Sequence, residues 1–277
     1  MKIFEINLKE KYKFLGEEDR NPTLTCYLPQ NIVEMGRQDE MRPTILICPG
    51  GGYAHCSERE AEPIALKFLN WGFNAIVLRY SCAPHRYPIQ LREVAAAFEE
   101  IYANAEEWHC DTNKVGIIGF SAGGHLTAHY SNAYNSDAVR EFFPDSKKPN
   151  FAILSYPVIS ADETFAHKGS FVNLLGEYPK GEDVAKYSCE KLVSADTPPT
   201  FIWHTTTDQA VPVKNSLVYA TALAENNIPF SVHIYPYGVH GLSTVDHLTN
   251  DEDRLDAKTL LAEGWLNEFK KWFDNTL

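Results

Sequence analysis

The sequence predicts an α/β fold, a mostly parallel twisted sheet with helices on both faces. Three observations carry that expectation. Short apolar, β-branched runs alternate with segments of helical period along most of the chain. The run Lys114-Val115-Gly116-Ile117-Ile118 leads through Gly119-Phe120-Ser121-Ala122-Gly123 into a helix-like segment, which is a strand turning tightly into a helix. A chain of 277 residues that is 44% hydrophobic can also bury one large core. No internal repeat, low-complexity tract or composition shift marks a linker, so a single domain over 1–277 is expected.

Taken in order, residues 23–28 and 44–48 read as strands, the second leading into Pro49-Gly50-Gly51-Gly52. Ser57 reads as a helix cap, with Glu60 three residues on completing a capping box. That helix carries Ile64, Leu66, Phe68 and Leu69 and stops at Trp71-Gly72. Residues 73–78 form the next buried strand. A long helix follows, with Leu91, Val94, Ala97, Phe98 and Ile101 at helical spacing. After the tight turn and its helix come strands at 151–156, 200–203 and 230–235, with a helix at 217–223 between the last two. A final helix with Leu260, Leu261, Trp265, Phe269 and Trp272 closes the chain. Two stretches break the rhythm: 132–150 is polar and contains proline, and 160–199 runs long without a clear strand. Both are expected to be cap or lid insertions that roof a site at the carboxyl ends of the strands.

The residues around the tight turn carry chemistry. A Gly-x-Ser-x-Gly pentapeptide between strand and helix is a nucleophile elbow, holding its serine strained and exposed. Gly119 and Gly123 are the small neighbours that let strand and helix approach. A serine hydroxyl needs a base, and the base needs a carboxylate to hold its tautomer. With an elbow serine, the acid and the histidine follow in that order, each on a loop past a later strand. Asp208 follows 200–203 in His204-Thr205-Thr206-Thr207-Asp208, and His240 follows 230–235 in Gly238-Val239-His240-Gly241. Singly, Asp208 reads as a helix cap and His240 as a turn residue. Together, the order selects Ser121 as nucleophile, Asp208 as acid and His240 as base, with Asp162 the reserve acid. The N–H groups of Gly51, Gly52 and Ala122 are the expected oxyanion hole. Tyr53, next to that loop, is expected to line the substrate pocket.

The elbow, Pro49-Gly50-Gly51-Gly52-Tyr53, Ser57-Glu58-Arg59-Glu60 and Arg79-Tyr80-Ser81-Cys82-Ala83-Pro84 together resemble the α/β-hydrolase fold, over residues 44–242. Within it the chain is similar to carboxylesterases related to the hormone-sensitive-lipase group and to the acetyl-xylan and feruloyl esterase-like branch. The first group usually has His-Gly-Gly-Gly where this chain has Pro49. The segment from Arg79 is an altered form of Tyr-Arg-Leu-Ala-Pro. The resemblance implies a cofactor-free serine carboxylesterase that hydrolyses short-acyl esters, acetyl especially, of carbohydrates. It implies the same roles for Ser121, Asp208, His240, Gly51, Gly52 and Ala122. A serine peptidase of the same fold and a non-catalytic hydrolase-fold binding protein are the alternatives. The presence of all three triad candidates counts against the second.

A formal net charge of −12 without any Lys or Arg cluster argues against a nucleic-acid partner, leaving a small-molecule ester as the expected one. Met1-Lys2-Ile3-Phe4-Glu5 carries charges where a signal peptide needs apolar residues. No apolar run reaches the roughly 20 residues that span a bilayer, so no membrane association is expected. Cys26, Cys48, Cys56, Cys82, Cys110 and Cys189 lack paired or metal-type spacing and read as free thiols of a reducing cytoplasm. Cys48 and Cys56 flank the glycine loop and read as small buried side chains. His125 and His129 have a zinc-compatible spacing, but without an accompanying Glu no metal is expected. The sequence carries no signal for oligomeric state.

Overall fold

Successive side chains of the strand Arg42–Cys48 face two different cores, and this alternation sets the layers. Leu46 and Cys48 are buried in one hydrophobic cluster, Ile45 and Ile47 in another. The same split separates Ile76 and Leu78 from Ala75 and Val77, and Ile117 from Ile118. Strands that are apolar on both faces belong in a sheet covered on both sides. The structure, a computed structural model that describes residues 1–15 and 20–277, has that architecture.

The strands are β1 (Lys2–Asn7), β2 (Thr23–Leu28), β3 (Arg42–Cys48), β4 (Asn74–Arg79), β5 (Cys110–Phe120), β6 (Phe151–Ser155), β7 (Thr200–Thr205) and β8 (Phe230–Tyr235). Their order across the sheet is β1-β2-β4-β3-β5-β6-β7-β8. The β1–β2 and β2–β4 pairings are antiparallel, and every pairing from β4 to β8 is parallel. The helices before the elbow are α1 (Leu8–Lys11), α2 (Glu62–Asn70) and α3 (Ile89–Ala103). After it come α4 (Ala122–Ala133), α5 (Asp137–Arg140), α6 (Lys168–Leu175), α7 (Asp183–Lys186), α8 (Lys214–Glu225) and α9 (Trp265–Thr276). Register aligns Cys48 with Gly119, Phe120 with Ser155, Ser155 with Trp203, and Thr205 with Tyr235. The carboxyl ends of β3, β5, β6, β7 and β8 therefore lie side by side. Loops leaving that edge are where open α/β sheets bind ligands.

Several local expectations change. β1 is an edge strand that the sequence reading does not anticipate. Most of its side chains are exposed or half-buried, with Phe4 packed edge-on against Trp108. Ser57 precedes a single 3-10 turn, Glu58–Glu60, makes no side-chain cap, and the α-helix begins at Glu62 with Pro63 in its first turn. The capping box does not form because Glu60 is drawn inwards. Its Oε2 accepts the Gly50 N–H at 2.8 Å and its Oε1 accepts the Tyr156 hydroxyl at 2.7 Å. Leu260 and Leu261 are exposed on a 3-10 turn, and α9 buries Trp265, Leu266, Phe269 and Phe273. Trp265 stacks on Trp203 with ring centres 4.9 Å apart, and its Nε1–H donates to the Ser243 carbonyl at 2.9 Å. Burying one such aromatic contributes about 1.5–3 kcal/mol, and the indole bond ties the last helix to the loop after His240.

The two irregular stretches lie in different places. Within 132–150, Phe142 stacks on Phe14 at 4.3 Å, Phe143 meets Tyr12 at 5.5 Å, and Glu141 pairs with Arg92 of α3 at 2.8 Å. That stretch packs on the amino-terminal segment and α3. Within 160–199, α6 reaches the glycine loop: Asn173 Nδ2–H donates to the Gly52 carbonyl at 2.9 Å. No helix among the described residues is long and apolar enough to cross a membrane.

One buried carboxyl makes stability depend on pH. Glu93 of α3 is fully buried and accepts the N–H of Ser81 at 2.7 Å and its hydroxyl at 2.5 Å. Burial pushes its pKa up to about 7, against the opposing bonds from Ser81. Between the ordinary carboxyl value of about 4.3 and that raised value, the folded chain holds a proton that the unfolded chain releases. Stability from this group is thus full on the acid side of the window and lost as pH rises through it. Thermal unfolding from pH 4.5 to 7.5 is expected to show this loss, up to about 1.4 kcal/mol per pH unit, and Glu93→Gln should remove it. Parallel pH curves for the two proteins would contradict the assignment.

Candidate active site

Ser121 sits between β5 and α4 with φ 53° and ψ −118°, a left-handed backbone that a side chain adopts only under strain. The turn closes because Gly119 and Gly123 lack a Cβ. One added at Gly119 would stand 2.1 Å from the Gly123 carbonyl oxygen, and one at Gly123 would stand 2.1 Å from that of Cys48. The strained backbone is held by Ser121 N–H donating to the Ser155 carbonyl and Val158 N–H donating to the Ser121 carbonyl, both at 3.0 Å.

His240 Nε2 lies 2.8 Å from Ser121 Oγ, and His240 Nδ1 lies 2.6 Å from Asp208 Oδ2. An ionised carboxylate only accepts, so the neutral ring carries its proton on Nδ1 and presents a bare Nε2 to the serine hydroxyl. Asp208 is buried, and its second oxygen accepts the N–H groups of Ala210 and Val211, each at 2.9 Å. It therefore orders the turn after β7 as well as the imidazole. Its expected rival role, capping α8, is not taken, since that helix starts at Lys214. Burial opposes ionisation of Asp208. The bonds from His204 and His240, the His240 charge and the Val211 N–H outweigh it and hold the carboxyl well below the usual range.

Behind Asp208 stands a residue that sequence reading misses. His204 is fully buried on β7, with Nδ1 2.7 Å from Ser216 Oγ and Nε2 2.9 Å from the Val211 carbonyl. A carbonyl only accepts, so Nε2 carries the hydrogen. That N–H is shared with Asp208 Oδ2 at 3.3 Å, the longer of its two contacts. No spacing rule could have singled out His204 from the apolar strand around it. Asp162, the reserve acid, is exposed and accepts the N–H and hydroxyl of Thr164 at 2.9 and 2.8 Å. It lines a separate cleft of about 740 Å³, between the 160–199 segment and α8, to which neither Ser121 nor His240 contributes.

The Gly50 N–H is consumed by Glu60, but no acceptor for the N–H of Gly51, Gly52 or Ala122 is found among the described residues. Glu60 also couples this loop to the histidine. Its partner Tyr156 accepts the Ser243 N–H at 3.0 Å and sets its ring edge-on to His240 at 5.1 Å. Arg59 and Arg254 donate to the carbonyls of Gly241 and His240 respectively. Both loops are thus braced from beneath.

Tyr53 is corrected. It is 1% exposed, packs edge-on against Tyr80, and its hydroxyl donates to His125 Nδ1 at 2.9 Å. With φ 58° its ring packs into the core and offers almost no surface to a ligand. His125 Nε2 meets the Tyr187 carbonyl at 2.9 Å, so both ring nitrogens are already used within the protein. Burial lowers the pKa of His125 to about 4, and burial together with His125 lowers that of His129 to about 3, which suits neutral core rings. All six cysteines are free. Cys48 is buried as expected, while Cys56 is half-exposed, its Sγ and that of Cys82 each 3.6 Å from the Tyr80 carbonyl.

The BD-FAE family profile matches residues 26–223, well over half of the chain. The chain belongs to the BD-FAE family. Two curated relatives bear this out. A protein named endo-1,4-beta-xylanase B from Butyrivibrio fibrisolvens is 38% identical over 258 residues, and an acetylxylan esterase from Xylanibacter ruminicola is 34% identical over 237. The matches cover 90% and 84% of this chain but only 37% and 46% of the relatives, so this BD-FAE chain spans less than half of either. Among solved structures, an acetyl ester-xyloside bifunctional hydrolase from Caldicellulosiruptor lactoaceticus superposes with a TM-score of 0.83 at 34% identity. That match covers 98% of this chain and 96% of the other. The sheet order and these neighbours make the BD-FAE chain an α/β-hydrolase.

Proposed function

We propose that this BD-FAE chain is a serine carboxylesterase that removes short acyl groups, acetyl above all, from carbohydrate hydroxyls. The observation that carries the reading is the unbroken run of short contacts from Asp208 through His240 to Ser121, beside three amides without an acceptor among the described residues. Ser121 Oγ attacks the ester carbonyl carbon as His240 Nε2 takes its proton. The oxyanion rests on the N–H groups of Gly51, Gly52 and Ala122. The carbon–oxygen bond to the alcohol then breaks, and that alcohol leaves with the proton from Nε2. A water repeats the sequence on the acyl-serine, giving the carboxylic acid and regenerating the hydroxyl.

The names of the acetylxylan esterase and the acetyl ester-xyloside hydrolase support acetyl and sugar as acyl group and alcohol. Glycosidic cleavage is less well served by the site, because it needs two carboxylates free to face the bond. Asp208 is committed to His240, and Glu60 to Gly50 and Tyr156. Hydrolysis of p-nitrophenyl esters from acetate to octanoate is expected to be fastest on acetate, with acetylated xylooligosaccharides also deacetylated. Inertness to every ester combined with cleavage of peptide anilides would replace this reading with a peptidase. Inertness to both would favour a binding protein.

A further inference from the structure

We propose that His167 is a specificity residue of this site, its Nε2–H donating to a hydroxyl oxygen on the alcohol part of the substrate, a role that rests on the esterase reading above. The alcohol it fits is a polyol or sugar whose free hydroxyl neighbours the acylated one.

The tautomer follows from the cap of α6. Ser170 N–H, which can only donate, points at His167 Nδ1 at 3.3 Å, and Ser170 Oγ lies 2.8 Å from the same nitrogen. Nδ1 is therefore the acceptor, and the neutral ring keeps its hydrogen on Nε2. Burial and then the nearby His240 charge push its pKa down, so the ring remains a neutral donor. No acceptor for that Nε2–H is found among the described residues. The residue is half-buried, and Nε2 is not among the buried polar atoms left without a partner, so that edge reaches the surface.

Its position is set by the glycine loop. A Cβ placed on Gly52 would meet only Ser170 Oγ at 3.9 Å and His167 Cε1 at 4.0 Å. These two side chains thus bound the gap above the Gly52 face. The helix that carries them is pinned to the same glycine, since Asn173 Nδ2–H donates to the Gly52 carbonyl at 2.9 Å. Tyr87 N–H donates to the Leu174 carbonyl at 2.9 Å, and Arg86 donates to that of Asn173, which fixes the far end of α6. The donor is consequently preorganised relative to the oxyanion amides.

The chemistry of the bound ester says which oxygen it meets. The carbonyl oxygen belongs to the amides of Gly51, Gly52 and Ala122, and the leaving oxygen belongs at His240 Nε2. His167 borders Gly52 and also feels the charges of His240 and Asp208. The ester oxygen lies on the base side of the carbonyl carbon, so the alcohol it carries extends from His240 towards the side chains beside it, and an acetyl methyl offers nothing for an N–H to donate to. A hydroxyl vicinal to the ester oxygen does.

The test compares His167→Asn with His167→Gln. Asparagine is a good helix cap and keeps an acceptor for Ser170 N–H while removing the donor at Nε2. Glutamine reaches further and returns an N–H near that position. The readout is the ratio of kcat/KM on monoacetylated xylobiose to kcat/KM on p-nitrophenyl acetate, whose leaving group has no vicinal hydroxyl. His167→Asn is expected to lower this ratio about tenfold, as for one neutral hydrogen bond, and His167→Gln to recover part of it. An unchanged ratio in His167→Asn, including an equal fall on both substrates, would overturn the proposal. Wild type that cleaves the aryl ester but no sugar acetate would overturn it too, along with the carbohydrate part of the reading above, while leaving the serine carboxylesterase standing. Wild type that cleaves neither would remove the esterase reading itself.

Discussion

Ser121→Ala is expected to lower kcat on p-nitrophenyl acetate by about 10⁴- to 10⁶-fold, the scale on which loss of a triad serine acts. In the proposed mechanism Oγ is the attacking atom, and it is the hydrogen-bond partner of His240 Nε2 at 2.8 Å. Alanine keeps the Cβ, so the backbone strain at φ 53° is the same and the elbow should close as before. The unfolding temperature should therefore hardly move, while covalent labelling by a fluorophosphonate disappears. Residual turnover is expected to come from the proposed oxyanion amides of Gly51, Gly52 and Ala122, which the substitution leaves in place. Activity within tenfold of wild type would remove Ser121 from the mechanism.

Asp208→Asn is expected to cost about 10³- to 10⁴-fold in kcat through the wrong imidazole tautomer. The aspartate uses both oxygens, one on His240 Nδ1 and one on the amides of Ala210 and Val211. Asparagine has a single oxygen. If it keeps the turn, its amide nitrogen faces Nδ1, which must then accept. The ring proton moves to Nε2, where the Ser121 proton has to go. If instead it serves His240, the turn after β7 loses its acceptor and the loop loosens. Either way kcat falls more than KM rises. Nitrogen NMR of the His240 ring separates the two cases, because only the first moves the proton. Because the Asp208 carboxyl is held well below the usual range, its own protonation should play no part in the acid limb of a wild-type rate profile. A loss under about tenfold would mean that the Asp208 carboxylate is not what orients the base.

Much of the molecule was legible along the chain, and for identifiable reasons. The interior strands could be read because burial on both faces leaves a nearly continuous apolar run, as at 44–48 and 115–118. Ser121 could be read because its turn admits only glycine two positions to either side, at Gly119 and Gly123, and Asp208 and His240 because each lies just past a strand end. The edge strand β1 could not be read, since a half-exposed strand carries charges and looks like a loop. Glu60 was misread because Ser-x-x-Glu spells a capping box. What overruled it was a competing buried acceptor role, with Gly50 ten residues behind and Tyr156 ninety-six residues ahead. Tyr53 was misplaced because adjacency to the glycine loop says nothing about which way a residue with positive φ turns its side chain. His204 and His167 had no local signature at all.

The sequence by itself determined the alternating architecture, the tight turn at Ser121 and the order of the three residues that meet there. Those follow from periodicity, from steric limits on a few glycines and from chain order, all of which are local. Only the tertiary structure decided that His240 Nε2 faces Ser121, that Glu60 braces two loops, and that α6 brings His167 to the open face of Gly52. Those are contacts between residues up to 119 positions apart, fixed by the parallel register of β3, β5, β7 and β8 and by packing that no stretch of sequence encodes alone.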